Sequence, residues 1–307
     1  MNAPIDVLKE FPVRKGKKQK KAFRDAVSDW LSRKGYSCRE EAGALGVRNV
    51  VIGDPEKASF LITAHYDTCA GMLLPNLITP CNLFFFVLYQ LVMTVSILLP
   101  AVILGGVAGV LTDNFFAGYY VFLILALGAI LLLLCGPANP SNANDNTSGV
   151  VTLLEIAGTL PENQREKVCF VLFDLEEMGL IGSAAYQKAH KAQTGKQIVL
   201  NLDCVGDGDE IVLFPTGKLK KDREKMGLLR ACCGTFGAKR VALHEKGFSV
   251  YPSDQGNFPY GVGICALRRG KLARYLSRIH TRKDTILEQT NVNILRAALT
   301  SLVSRSQ

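Results

Sequence analysis

One stretch limits what this 307-residue chain can fold into more than any other. Residues 68–144 contain a single charged side chain, Asp113, and no Lys or Arg. The rest of the chain carries nearly all of the 36 basic and 27 acidic residues. The sequence therefore reads as a charged globular protein interrupted by an apolar insert. Within the insert, Leu83–Leu111 is uncharged and as a helix would run about 43 Å, against about 30 Å for a bilayer's hydrocarbon core. Pro100, Gly105 and Gly106 offer points where it can kink or shorten. Thr112-Asp113-Asn114 makes a compact polar turn, and Phe115–Cys135 supplies a second uncharged run of about 31 Å that ends at Gly136-Pro137. A helix apolar on every face must be surrounded by protein or by lipid. The remaining residues have their own core to build, so a transmembrane hairpin is expected over residues 81–137, rather than a pair of buried core helices.

A hairpin returns the chain to its starting side. Residues 1–80 and 138–307 are therefore expected to form one discontinuous domain, with residues 83–135 contacting the lipid bilayer. The positive-inside rule is nearly silent on sidedness, because the nearest basic residues, Lys57 and Arg165, lie outside its window. No apolar signal-peptide core is evident in Met1–Glu10, the N-terminal segment is basic, and the nine cysteines form no C-x-x-C pair. Together these favour a cytoplasmic location for the charged domain. The net charge of +9 collects in Arg14–Lys21, Lys218–Lys225 and Arg268–Arg278. No interleaved aromatics or binding motif accompany these runs, so nucleic acid is not an expected partner; an anionic membrane surface is the simpler one.

The charged parts alternate in period. Residues 17–33 are helical, with Phe23, Val27, Trp30 and Leu31 on one face. Short apolar runs at 49–52, 59–64, 168–173, 197–202, 210–214 and 263–267 read as strands, several of them buried on both faces. Residues 150–160, 180–191 and 291–304 read as helices. The class is α/β, with a mixed, mainly parallel central sheet flanked by helices.

In such sheets active residues gather at the carboxyl ends of strands. Here those ends carry His65-Tyr66-Asp67, Asp174-Leu175-Glu176-Glu177 and Asp203, and loops add Asp145-Asn146 and His280-Thr281-Arg282-Lys283-Asp284. Two imidazoles among several carboxylates form a donor set that suits borderline divalent metals, zinc above all. Two adjacent metal ions would need a shared carboxylate between them. His190 and His244 fall outside this constellation and read as structural.

The stretches LITAHYDT (61–68), NDNTSGV (144–150), FDLEEMGLIGSAAY (173–186), NLDCVG (201–206), SDQGNF (253–258) and IHTRKDT (279–285) together resemble the co-catalytic zinc aminopeptidases of the bacterial leucyl aminopeptidase and glutamate carboxypeptidase superfamily. The resemblance covers nearly all of the chain outside 69–140, in the same order. It implies two zinc ions per chain, with His65 and Asp203 on one, Glu177 and His280 on the other, and Asp145 bridging. It implies Glu176 as general base and acid, Asp67 orienting His65, and Asp284 supporting His280. It also implies a peptide substrate cleaved at its N-terminus. A glutaminyl-cyclase-like or amidohydrolase relative shares much of this ligand set, and a non-catalytic membrane scaffold is the third reading. Gln255 stands where a His is often found, and Tyr251 is the candidate for stabilising the oxyanion. The hairpin lies between His65 and Asp145, which would hold the site close to the membrane.

Overall fold

The computed structural model describes residues 1–74 and 76–305. Ten strands among them form one mixed sheet: β1 (Cys38–Ala42), β2 (Arg48–Ile52), β3 (Phe60–His65), β4 (Val168–Phe173), β5 (Ile198–Leu202), β6 (Glu210–Pro215), β7 (Gly234–Phe236), β8 (Lys239–Leu243), β9 (Gly261–Arg269) and β10 (Arg274–Tyr275). Their order is β1-β2-β4-β3-β5-β9-β6-β8-β7, with β10 beside β9. The centre, β4-β3-β5-β9, is parallel. Both margins are largely antiparallel. β1 was not foreseen because its sequence, Cys-Arg-Glu-Glu-Ala, is that of a solvated sheet edge and lacks an apolar period.

Alternate residues of the central strands face opposite layers. Ile62, Phe170 and Leu200 join a large core under helices α1 (Lys17–Ser32), α4 (Gly149–Thr159), α6 (Arg223–Ala231) and α7 (Gln289–Arg305). Leu61, Cys169 and Val199 face the other way, toward Tyr186 of α5 (Ile181–Ala189) and Phe258. A third cluster joins Ile78, Val212, Phe214, Cys265 and Leu276 beneath the base of the insert. The nine cysteines are free.

The insert is two helices, α2 (Leu83–Thr112) and α3 (Phe115–Cys135). Only 17% and 11% of their most apolar windows are buried, and both are long and apolar enough to cross a membrane. Their lipid-like exterior is what excludes a pair of core helices. Asn side chains start both: Asn82 accepts from the Phe85 N–H, and Asn114 from those of Phe116 and Ala117. α2 runs unbroken through Pro100 and Gly105. Gly105 belongs to a contact, since a Cβ there would lie 2.8 Å from the Gly118 carbonyl, and one on Gly118 would lie 2.6 Å from that of Gly105. Close approach of backbones through small residues is the usual way apolar helices pair without a hydrophobic driving force.

The base of the insert is pinned to the sheet domain. Ala70 pairs with Ala138 and Ile78 with Leu276. The Val250 N–H reaches the Pro80 carbonyl, and Lys15 Nζ donates to the Leu134 carbonyl at 2.8 Å. Gly118→Leu should therefore lower the melting temperature of detergent-solubilised protein by several degrees. Gly128→Leu, at a position with no atom within 4 Å of the added Cβ, should leave it unchanged.

Candidate metal centre

Because β4, β3 and β5 are adjacent and parallel, their carboxyl ends emerge side by side, about 4.8 Å apart. That single fact gathers three distant segments. His65 is the last residue of β3, the Glu176-Glu177 turn follows β4, and Asp203 follows β5. Asp145 enters from the turn that precedes α4, and His280 from the loop after β10.

Asp145 sits at the middle. Its Oδ1 lies 3.3 Å from His65 Nε2 and its Oδ2 3.1 Å from His280 Nε2. His65 Nε2 is also 3.7 Å from Asp203 Oδ1 and 4.0 Å from Glu176 Oε2. His280 Nε2 is 3.5 Å from Glu177 Oε2. The five residues expected as ligands thus fall into two groups that share one carboxylate. Atoms bonded to one tetrahedral zinc at about 2.0 Å lie about 3.3 Å apart, so these separations suit the ion. Buried oxygens without hydrogen-bond partners point the same way: Glu177 Oε1 and Asp203 Oδ1. Burial leaves such atoms costly unless a cation or donor meets them. The residues present fit zinc.

The charges confirm the crowding. Burial, reinforced by Asp145, pushes Glu177 up to about 8. Burial also pushes Glu176 well above the carboxylate range, with Glu177, Asp254 and Asp203 adding to it. Asp145 goes the other way: despite burial, the His280 and His65 imidazoles hold it well below the usual value.

The supports of these residues differ in part from expectation. Asp67 lies 3.5 Å from His65 Nδ1. It also accepts the backbone N–H groups of Glu176 and Glu177, at 3.1 and 3.2 Å. One carboxylate therefore fixes both the imidazole and the turn that carries the two glutamates. Positive φ at Leu175 and Gly179 shapes that turn, which is how neighbouring glutamates both face the site. Asp284, expected beside His280, instead accepts the N–H groups of Asn144 and Asp145. Asn144 Oδ1 accepts from Gly206 and Asp207, and Asn146 bonds the Leu202 carbonyl and the Cys204 N–H. The Asn-Asp-Asn run thereby bolts Asp145 to the loop bearing Asp203. Gly149 permits this, since a Cβ there would lie 2.3 Å from the Leu202 carbonyl.

Gln255 does not face the metal-ligand cluster. It accepts from Asn201 Nδ2 and donates to the Tyr251 carbonyl. The Tyr251 hydroxyl donates to the Asp203 carbonyl at 3.0 Å, and Ser253 Oγ donates to Asp203 Oδ2 at 2.6 Å. His190 pairs with Glu41 at 2.8 Å, and the His244 ring packs at a tilt against Phe214; neither joins the centre.

Two further residues at the centre were given no role from the sequence, although Asp254 lies within the SDQGNF stretch. Arg14, 0% exposed, donates to the Tyr66 and Phe11 carbonyls and to Thr147 Oγ1 behind the cluster. Burial lowers it to about 10 while Asp67 and Asp145 oppose that shift, so it stays cationic at neutral pH. In sequence it is merely the first of a basic run. Asp254 is fully buried near the carboxylates, and burial pushes it up to about 7.

Residues 131–302, more than half of the chain, match peptidase family M28. No curated protein matches the sequence. Among solved structures, the fold is similar to a Zn-dependent exopeptidase from Parabacteroides distasonis, with 15% identity, TM-score 0.61, and 96% of this chain and 94% of that one covered. It is also similar to glutaminyl cyclase from Porphyromonas gingivalis, with 14% identity, TM-score 0.60, and coverage of 99% and 96%. A third is the LapA aminopeptidase of Legionella pneumophila, with 15% identity, TM-score 0.58, and coverage of 99% and 71%. At these identities the structural likeness speaks to the fold, while the sequence match speaks to descent: the chain belongs to peptidase family M28, a zinc metallopeptidase with an apolar helical hairpin set into its sheet domain.

Proposed function

We propose that the protein is a membrane-anchored aminopeptidase that removes N-terminal residues from peptides, using two zinc ions. The observation that carries this is Asp145, whose two oxygens each face one imidazole. His65, Asp203 and Asp145 would hold one ion, and Glu177, His280 and Asp145 the other. Zinc in such a site supplies an acidified water and a polarised carbonyl. Glu176, 4.0 Å from His65 Nε2, would as a carboxylate beside the bound cations take a proton from the attacking water and give it to the leaving amine. Asp67 would keep His65 and Glu176 aligned, as its contacts with both indicate.

Residues 1–80 and 138–307 would form one peptidase domain, with 81–137 as its membrane insert. On the cytoplasmic side, basic groups meet the insert's base in space although they are remote in sequence. Lys15 bonds the end of α3. Lys271 lines a cavity with Phe85 and Leu88 of α2, and Arg282 and Lys283 line another with Leu73 and Pro137. Such charges favour the anionic cytoplasmic leaflet. Reporter fusions at the C-terminus and at Asp113 should read cytoplasmic and external respectively; the reverse pattern would overturn the orientation.

Glu176→Gln should retain both metals by elemental analysis and lower kcat on aminoacyl-anilides about 10²- to 10⁴-fold. Unchanged kcat would remove Glu176 from this role. Release of N-terminal residues from a peptide library is the expected activity. Cyclisation of N-terminal glutamine without hydrolysis would point instead to the cyclase chemistry named for one structural neighbour.

The metal-free chain should have its own pH signature. Glu177 keeps its proton up to about 8, chiefly through burial. In His280 burial works against the charge, yet Glu177 and Asp145 hold the proton up to about 9. Both native values exceed the ordinary 4.5 and 6.5. The native state therefore binds more protons than the unfolded chain, and stability falls as pH rises. The Glu177 contribution declines between those two values of its own, and that of His280 is complete below 6.5 and lost through about 9. Melting temperature of the chelated protein should fall from about pH 6 to about pH 9. Zinc, which needs deprotonated ligands, should oppose the trend. A flat or rising profile without zinc would contradict the contacts assigned to these groups.

A further inference from the structure

Cys69 lies in the segment that leaves β3, four residues beyond His65. Its Sγ, a Glu177 carboxylate oxygen and a His280 ring nitrogen all lie within 4.8 Å of one another. The side chain is 3% exposed. Buried cysteines usually behave as small apolar groups, and Cys169, Cys232 and Cys265 do so here, each within an apolar cluster; Cys204 also lies in one, though it approaches Asp145 and Asp203. Cys69 belongs to none of those clusters. It faces the charged groups Glu177, Asp145 and Asp284. Beside it, Glu177 Oε1 is buried and has no hydrogen-bond partner. The position is also rigid. The Cys69 carbonyl accepts from the Asn139 N–H at 3.0 Å, the next residue pairs with Ala138, and Met72 N–H reaches the His280 carbonyl. The base of the hairpin thus fixes the thiol against the loop that carries His280.

We propose that Cys69 is a thiolate ligand of the metal on the His280 side, completing a set of Asp145, Glu177, His280 and Cys69. The inference rests on the metal centre proposed above and deepens it. Four protein ligands close a zinc site, whereas a site with three keeps a position for water. The His280-side ion would then be closed and charge-neutralising. The ion held by His65, Asp203 and Asp145 would keep the open position, on the side toward which Glu176 leans. On binding, the Cys69 S–H bond breaks, its proton goes to solvent, and a sulfur–metal bond forms with no change of oxidation state.

The test is cobalt substitution of the full-length chain in detergent. Cobalt(II) bound by nitrogen and oxygen gives visible d–d bands; a thiolate ligand adds an intense near-ultraviolet charge-transfer band. The wild-type protein should show both. Cys69→Ser should keep two cobalt ions and the d–d bands, lose the charge-transfer band, and release its second metal to a chelator about tenfold or more faster. Cys204→Ser, which alters the other thiol near the carboxylates, should keep the band. A wild type with d–d bands but no thiolate band overturns the proposal and leaves the wider metal centre standing, as does a band that survives in Cys69→Ser. Absence of bound cobalt in any form overturns the metal centre itself.

Discussion

A carboxylate facing an imidazole with each of its oxygens is where the long-range contacts of this protein converge. Asp145 lies between His65 and His280, residues 215 positions apart, and around it gather Glu176, Glu177 and Asp203. Burying that many acidic groups together is unfavourable unless positive charge accompanies them. Two imidazoles and the buried guanidinium of Arg14 supply some of it. The unpartnered oxygens that remain on Glu177 and Asp203 lie where zinc would complete the balance. Much of the surrounding structure serves to hold these groups against their mutual repulsion. Asp67 grips a backbone turn, Asp284 grips the backbone of Asp145, and two asparagines tie that backbone to the β5 exit loop.

The apolar hairpin bears on this centre through its base. Its first stem carries Cys69, and the segment beyond its second leads directly to Asp145. The two stems pair at Ala70 and Ala138. In a chain anchored this way, tilting the hairpin would strain both arms of the metal centre at once. If the hairpin spans a membrane, as proposed, the same arrangement would hold the site near the bilayer surface. Basic groups remote along the chain, Lys15, Lys271, Arg282 and Lys283, gather around that base, the charge that the proposed orientation toward anionic lipid would use.

The comparison between sequence and structure is instructive where they part. Strands β3, β4, β5, β6 and β9 were legible because continuous apolar runs of that length leave few alternatives. The same holds for the two long apolar helices, since uncharged runs of that length leave few alternatives to helix. Strands β1 and β7 were not legible, because a solvated edge strand needs no apolar period, and β8, next to the edge, is buried only at Val241. Gly105 looked like a point of flexibility and proved to be a point of contact, a distinction that requires the opposing Gly118 to be seen. Asp284 was assigned to the nearest histidine in sequence, whereas the fold turns it toward Asp145.

The donor types and their order along the chain were determined by the sequence alone: His, Asp, paired Glu, Asp and His at strand ends and in loops suit zinc, their motifs resemble zinc aminopeptidases, and the uncharged stretch implies an inserted hairpin. Which atoms face which was decided only by the tertiary structure. Strand adjacency, set by hydrogen-bond pairing across the sheet, places β4, β3 and β5 side by side, and no local pattern encodes that order. The parts played by Arg14, Cys69 and Asp254 follow from it, because each acts on partners far away in the chain, and a contact of that kind is a property of packing rather than of the residues that make it.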